Sequence, residues 1–286
     1  MQFALRLTLL SLLALMSPCS PLPLETRQER IVDTARTFDM KRRNIKAFPF
    51  ELTSFYRAGK QGAPTRIYIE GDGLAYLSRF EISHDPTPTD PMALRLAGAD
   101  PNRELNIAYL ARPCQMTKSL QTISEDQACS PHLWTHARFS ETVISAMNQA
   151  IDDIKAFNAS EEIELIGFSG GAAVALLVAA RRDDVALVRT VAGNLDHTVV
   201  NSFHNVDQLD KSLNPVDEAK SLRSIPQMHF VGGKDRIIPE EIYLSYFQSI
   251  GEPSCMEHHV VPAADHNSGW QERWPMLLKM RPHCLH

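Results

Sequence analysis

The chain has 286 residues, 44% of them hydrophobic and 22% charged, so it can bury one sizeable core and is composed like a globular protein rather than a disordered one. Its 29 basic and 34 acidic residues leave a net charge of -5, and no Lys/Arg run is long enough to follow a phosphate backbone, which argues against nucleic acid as a partner. The densest basic cluster, Lys41-Arg42-Arg43, is expected on a solvated surface ahead of a turn.

In chain order, the first feature is Arg6 followed by the almost continuously apolar Leu7 to Met16 and then Ser17-Pro18-Cys19-Ser20. That is the layout of a secretory signal over residues 1–20, too short for a comfortable membrane span. Export is therefore expected, to a periplasmic or envelope-anchored position if the source is bacterial. Pro18 and Pro21 obstruct several ordinary cuts, whereas a cysteine directly after the apolar stretch resembles a bacterial lipoprotein signal. In that reading Cys19 is acylated, becomes the mature N-terminus and ties the protein to a membrane. An ordinary cleaved signal and an uncleaved anchor stay open beside it.

Residues 21–49 read as a tether and surface segment, with a short helix over Leu24 to Phe38. From Phe50 onward, short runs rich in Ile, Val, Tyr and Phe alternate with longer helical stretches. The strands are expected at Phe50–Tyr56, Arg66–Glu70, Leu105–Leu110, Ile163–Ile166, Leu187–Ala192, Gln227–Val231 and His258–Val261. The helices are expected near Pro91–Ala97, Phe139–Phe157, Ala172–Arg181, Pro215–Arg223, Pro239–Ile250 and Gln271–Met280. This alternation predicts one α/β domain over residues 50–286, with a mostly parallel sheet covered on both faces, because parallel neighbours need crossover connections. Ligands of such sheets bind beyond the carboxyl ends of the strands. Asp196 to Pro226, the longest connection, is either a small cap over the site or a plain excursion with one helix.

Setting Cys19 aside leaves Cys114, Cys129, Cys255 and Cys284, an even number suited to two disulfides in an oxidising compartment. Three pairings exist on paper. Cys114 with Cys129 and Cys255 with Cys284 is the expected one, since each closes a modest loop beside a predicted strand end, although four unpaired thiols stay open. No two cysteines stand two or three residues apart, so no zinc site is expected.

The chemistry centres on Ile163-Glu164-Leu165-Ile166-Gly167-Phe168-Ser169-Gly170-Gly171-Ala172, which runs from an apolar strand into a helix through Gly-x-Ser-x-Gly. A sharp turn there projects a serine hydroxyl from the top of a sheet, and small flanking residues let strand and helix approach. Ser169 would also stand at a helix N-terminus, where amides favour developing negative charge. Alone the pattern is weak, and a glycine-rich turn whose serine caps the helix is the plain alternative. A base is expected late in the chain. His266, in the loop after the last strand, fits better than His258 or His259, which lie within that strand. The acid belongs beyond another strand end, where Asp235 follows Val231-Gly232-Gly233-Lys234 and Asp196 is the second choice. Two backbone amides should hold an oxyanion, one from Gly170 and one from Asp72 in Glu70-Gly71-Asp72-Gly73, whose carboxylate must point away. Arg112 could face the same pocket or brace a loop, and is left out of the catalytic set.

With the elbow at Gly167 to Gly171, the acid at Asp235, the base at His266 and the glycine turn at Gly71 to Gly73 in this order, the sequence from about Phe50 resembles the α/β-hydrolase superfamily. The resemblance implies an eight-stranded, mostly parallel sheet, one strand of which is not distinct in the sequence, and metal-independent acyl transfer through a Ser-Asp-His relay without a cofactor. The expected substrate is a small acyl compound, with a carboxylic ester first and a peptide or thioester second. A non-catalytic, lipid-anchored envelope protein on the same scaffold is the reading from another class. Oligomeric state is left open.

Overall fold

The computed structural model describes residues 23–116, 129–251 and 255–284. The expected signal over residues 1–20, with Cys19, lies outside the described residues.

In chain order the elements are α1 (Leu24–Thr37), β1 (Lys41–Ala47), β2 (Phe50–Arg57), β3 (Thr65–Ile69), β4 (Tyr76–Ser78), β5 (Glu81–Ile82), α2 (Met92–Ala99), β6 (Asn106–Leu110), α3 (Glu141–Asn158), β7 (Ile163–Phe168), α4 (Gly170–Ala179), β8 (Val185–Val191), α5 (His197–His204), α6 (Ala219–Leu222), β9 (Gln227–Gly232), α7 (Glu240–Ile250), β10 (Met256–Val261) and α8 (Trp274–Leu277). Short 3-10 turns cover Pro131–Trp134 and Pro215–Glu218. Eight strands form the central sheet in the order β1-β2-β6-β3-β7-β8-β9-β10, and β4 with β5 makes a separate hairpin. β1 and β2 run antiparallel to each other, and β2 antiparallel to β6. From β6 to β10 every neighbour is parallel.

Alternation along the inner strands divides the core between the two faces. Ile67 and Ile69 of β3, Ala108 and Leu110 of β6 and Leu165 of β7 join α3, α4 and α7 in one cluster. Tyr68, Tyr109, Ile166 and Phe168 join α1, α2 and α8 in the other. Every residue of α4 is buried, so this helix is wrapped by protein on all sides.

The strand that was not distinct in the sequence is β1. Lys41-Arg42-Arg43, expected on a surface ahead of a turn, opens it, and the sheet therefore begins before Phe50, within the stretch read as tether and surface segment. The strand lies at the sheet edge, where charged side chains are tolerated and discourage edge-to-edge pairing. Arg43 reaches an ion pair with Asp153 and lies 4.5 Å over the Phe157 ring. α1 is also less peripheral than expected, since Ile31 and Ala35 belong to the core. The 196–226 connection contains α5 and α6 rather than a single helix, and α8 is shorter than the helix expected over Gln271–Met280.

Both expected disulfides are present. Cys114 pairs with Cys129 at a Cα separation of 5.6 Å, and Cys255 with Cys284 at 4.1 Å. The second joins the start of β10 to the end of the described chain.

Candidate active site

Ser169 stands between the end of β7 and the start of α4 with φ 52° and ψ -121°. A non-glycine residue adopts that backbone only where the surroundings hold it there. Here its N–H donates to the Val191 carbonyl at 3.0 Å, and its carbonyl accepts from Ala172 and Asn194 at 3.0 Å each. The turn is tight enough that a β-carbon on Gly167 would lie 2.3 Å from the Gly171 carbonyl oxygen and 2.4 Å from the Ala172 Cα. This is why small residues flank the serine.

Two further loops at the same end of the sheet meet it. Asp235 follows β9, and its Oδ1 accepts from the amides of Ile237 and Ile238 at 2.8 Å each, which leaves Oδ2 to bind His266 Nδ1 at 2.9 Å. His266 Nε2 lies 3.1 Å from Ser169 Oγ. A carboxylate only accepts, so Nδ1 carries the proton and Nε2 is free to accept from the serine hydroxyl. The histidine loop is shaped by its neighbours. The Asp265 carboxylate accepts from the amides of Asn267 and Ser268 at 2.9 and 2.7 Å, Trp270 Nε1 donates to the Asp265 carbonyl at 2.8 Å, and Phe168 lies beside the imidazole at 5.3 Å. The Asp235 side chain is fully shielded from solvent while His266 keeps 11% exposure.

The second-choice acid is elsewhere. Asp196 caps α5, accepting from Thr198 and Val199 amides, and also binds Asn214 and Ser245. His258 pairs with Glu240 at 3.1 Å and stacks on Tyr243.

The turn after β3 lies directly against the elbow. The β-carbon position of Gly71 is 3.3 Å from Ser169 Cβ, and that of Gly170 is 2.1 Å from Asp72 Oδ1. Among the described residues neither the Asp72 nor the Gly170 amide has a hydrogen-bond acceptor. The Asp72 carboxylate is turned to Arg138 Nη1 at 2.7 Å and Arg112 Nη1 at 3.1 Å. Burial alone would raise this carboxyl, but the Arg138 and Arg112 guanidiniums outweigh it and hold the group below the usual carboxylate range. Arg112, left out of the sequence-based set, thus belongs to this site, and Arg138 was not anticipated. Nor was Glu70, a carboxyl behind the turn that burial pushes up to about 7 against the pull of the Gly71 and Ala93 amides.

Among the described residues no group of His, Cys, Asp and Glu side chains has a metal-binding arrangement. Ser169, His266, Gly170 and Asp72 together offer a hydroxyl, an oriented imidazole and two open amides, a set suited to acyl transfer.

Comparison with solved structures places the fold. An acylaminoacyl peptidase from Pyrococcus horikoshii aligns with a TM-score of 0.57 at 14% identity over 79% of this chain, but over only 37% of its own. The Pyrococcus furiosus esterase Pf2001 aligns with a TM-score of 0.60 at 10% identity, over 85% of this chain and 92% of the esterase. Est1E from Butyrivibrio proteoclasticus aligns at 0.57 and 11% identity, over 83% and 97%. At such identities the likeness is one of fold, the α/β-hydrolase fold. A search of curated proteins finds no match. The family model described as serine hydrolase (FSH1) matches residues 100–269, a stretch that holds Ser169, Asp235 and His266. That match spans more than half of the sequence, and the chain belongs to the FSH1 family of serine hydrolases.

Proposed function

We propose that this protein is a carboxylic-ester hydrolase that works through an acyl-enzyme on Ser169. The observation that carries the reading is the unbroken hydrogen-bonded line from Asp235 through His266 to Ser169 Oγ, with separations of 2.9 and 3.1 Å. His266 Nε2 takes the hydroxyl proton as Oγ attacks the ester carbonyl, and Asp235 stabilises the imidazolium that forms. The amides of Gly170 and Asp72 receive the oxyanion. The same histidine returns the proton to the departing alcohol, and a water molecule, deprotonated by His266, then releases the acid.

The ester is put first because a Pyrococcus furiosus esterase shares this fold over 92% of its own length; a peptide or thioester would use the same residues. A scaffold without activity is disfavoured because Asp235, His266 and Ser169 Oγ keep hydrogen-bonding contact beside two amides that have no acceptor among the described residues.

The decisive experiment is labelling with a fluorophosphonate probe followed by a panel of p-nitrophenyl esters, thioesters and peptide anilides. Wild type should be labelled stoichiometrically and Ser169→Ala not at all, with esters turned over fastest. An unlabelled wild type, or equal labelling of both, overturns the nucleophile.

We further propose that the protein is exported and membrane-tethered through an acylated Cys19. The paired cysteines support an oxidising compartment. Incorporation of radiolabelled fatty acid that is unchanged in Cys19→Ser rules this anchor out.

A further inference from the structure

The open Asp72 amide belongs to the Gly71–Asp72 peptide, and from outside the relay one side chain holds that peptide while two more hold the Asp72 carboxylate. Gln115 Nε2 donates to the Gly71 carbonyl at 2.9 Å. Its own orientation is fixed, because Gln115 Oε1 accepts from the Arg112 backbone N–H at 2.9 Å, and a backbone N–H can only donate. Gln115 is 1% exposed, so solvent offers its amide no competing partners. The Gly71–Asp72 peptide is trans. In a planar trans peptide the C=O and the N–H point in opposite directions. Holding the Gly71 carbonyl toward Gln115 therefore turns the Asp72 N–H the other way.

The second grip is on the side chain of the same residue. Arg112 and Arg138 hold one carboxylate oxygen of Asp72 each. The two arginines are braced in turn. Arg138 Nε donates to the Thr135 carbonyl at 2.8 Å, Arg112 Nη2 donates to the Arg138 carbonyl, and the Arg112 guanidinium lies 5.2 Å over the Phe139 ring. Arg112 is 4% exposed and loses rotamer freedom only once, on folding. Peptide plane and side chain are thus both fixed before substrate arrives, which is the condition under which an oxyanion donor is most effective, since no reorganisation is needed during the reaction.

We propose that Gln115, together with the Arg112–Asp72–Arg138 bridge, forms a positioning device that sets the Asp72 amide for the oxyanion of the acyl-transfer step. None of the three side chains hydrogen-bonds Ser169 Oγ or His266; Gln115 acts through the Gly71 carbonyl, and Arg112 and Arg138 act through the Asp72 carboxylate. The inference rests on the ester-hydrolase reading above.

Its test uses the full-length protein with Gln115→Met, which keeps volume and removes both the donor to Gly71 and the acceptor for the Arg112 amide, and Arg138→Lys, a partly exposed position where a cation is retained. Three readouts are taken: kcat and KM on the best p-nitrophenyl ester, the fraction of active sites from the fluorophosphonate endpoint, and the inhibition constant of an alkyl trifluoromethyl ketone, whose adduct carries the oxyanion. Gln115→Met should lower kcat per titrated site about 10- to 100-fold, with KM changed by less than about threefold. The ketone should weaken in proportion to kcat/KM, while Ser169 is still labelled to completion. Arg138→Lys should lose less, in the same proportion. A loss confined to the titrated fraction, a rise in KM alone, or wild-type kinetics in Gln115→Met overturns the positioning role. If wild type itself is not labelled at Ser169, the ester-hydrolase reading fails first, so the two failures are distinguishable.

Discussion

Asp72 Oδ1 lies over the Cα of Gly170, 2.1 Å from where a β-carbon on that glycine would sit. The carboxylate cannot swing aside freely, because Arg112 and Arg138 hold it. The residue after Ser169 is therefore glycine for a reason separate from the elbow itself: the Gly71–Asp72 turn occupies the space a side chain would need.

Gly170→Ala should displace the Asp72 side chain and with it the amide it carries, lowering kcat/KM about 100-fold and costing about 1–3 kcal/mol of stability through overpacking. The same substitution in an Asp72→Gly background should lose much less, so a double-mutant cycle on kcat/KM should show a coupling of about 1–3 kcal/mol. Additive effects would mean that the two residues do not contend for this space.

The opposite end of the sheet gives a contrasting case. Glu164, at the start of β7, binds Arg66 Nε at 2.6 Å, Arg189 Nη1 at 2.7 Å and Arg281 Nη2 at 3.3 Å. The Arg189 side chain is fully buried. Burial by itself would raise the Glu164 carboxyl, and Arg189 and Arg66 reverse the effect and hold it low. Glu164→Ala strands buried guanidinium charge and should destabilise by about 3–5 kcal/mol in urea unfolding. Five residues along an extended strand place it roughly 16 Å from Ser169, so kcat per titrated active site should stay at the wild-type value. A large drop in kcat per site would show that the network reaches the relay.

That Ser169, His266 and Asp235 would meet was legible because each combines a residue type with a place in the strand order. Ser169, Asp235 and His266 each follow a strand at the same end of the sheet, and the elbow glycines mark the tightest turn. The contacts of Arg112 and Arg138 with Asp72 were not. Arg138 sits in the turns after the Pro131–Trp134 segment with no motif around it, and its partner Asp72 is 66 residues away in sequence. Such a contact exists only once the fold is made. β1 was missed for a different reason: as an edge strand its Lys41–Ala47 stretch alternates charge with burial only near its end, with Ile45 and Ala47 inside. α5 was hidden because its β-branched and polar residues are weak helix formers. The cap on Thr198 and Val199 from Asp196 sets it instead, so a carboxylate weighed as a catalytic acid was in fact a helix start signal.

Glu70 supplies a pH dependence with a definite sign. Its carboxyl ionises near 4.5 when free and at about 7 in the folded chain. Below the lower value both states are protonated and nothing is lost. Between the two values the unfolded chain ionises while the folded one resists, so stability falls as pH rises, reaching a loss of about 3 kcal/mol above pH 7. Glu70→Gln keeps an oxygen acceptor for the Gly71 amide, bonded at 2.9 Å, and removes the ionisation. Unfolding free energies measured at pH 5 and pH 8 should therefore differ between wild type and Glu70→Gln by about 2–3 kcal/mol, in favour of the variant at pH 8. An equal pH response in the two proteins would show that Glu70 ionises as freely in the folded protein as in the unfolded chain. The variant also tests the site from behind, because the charge it removes lies beside the turn that carries the Asp72 amide.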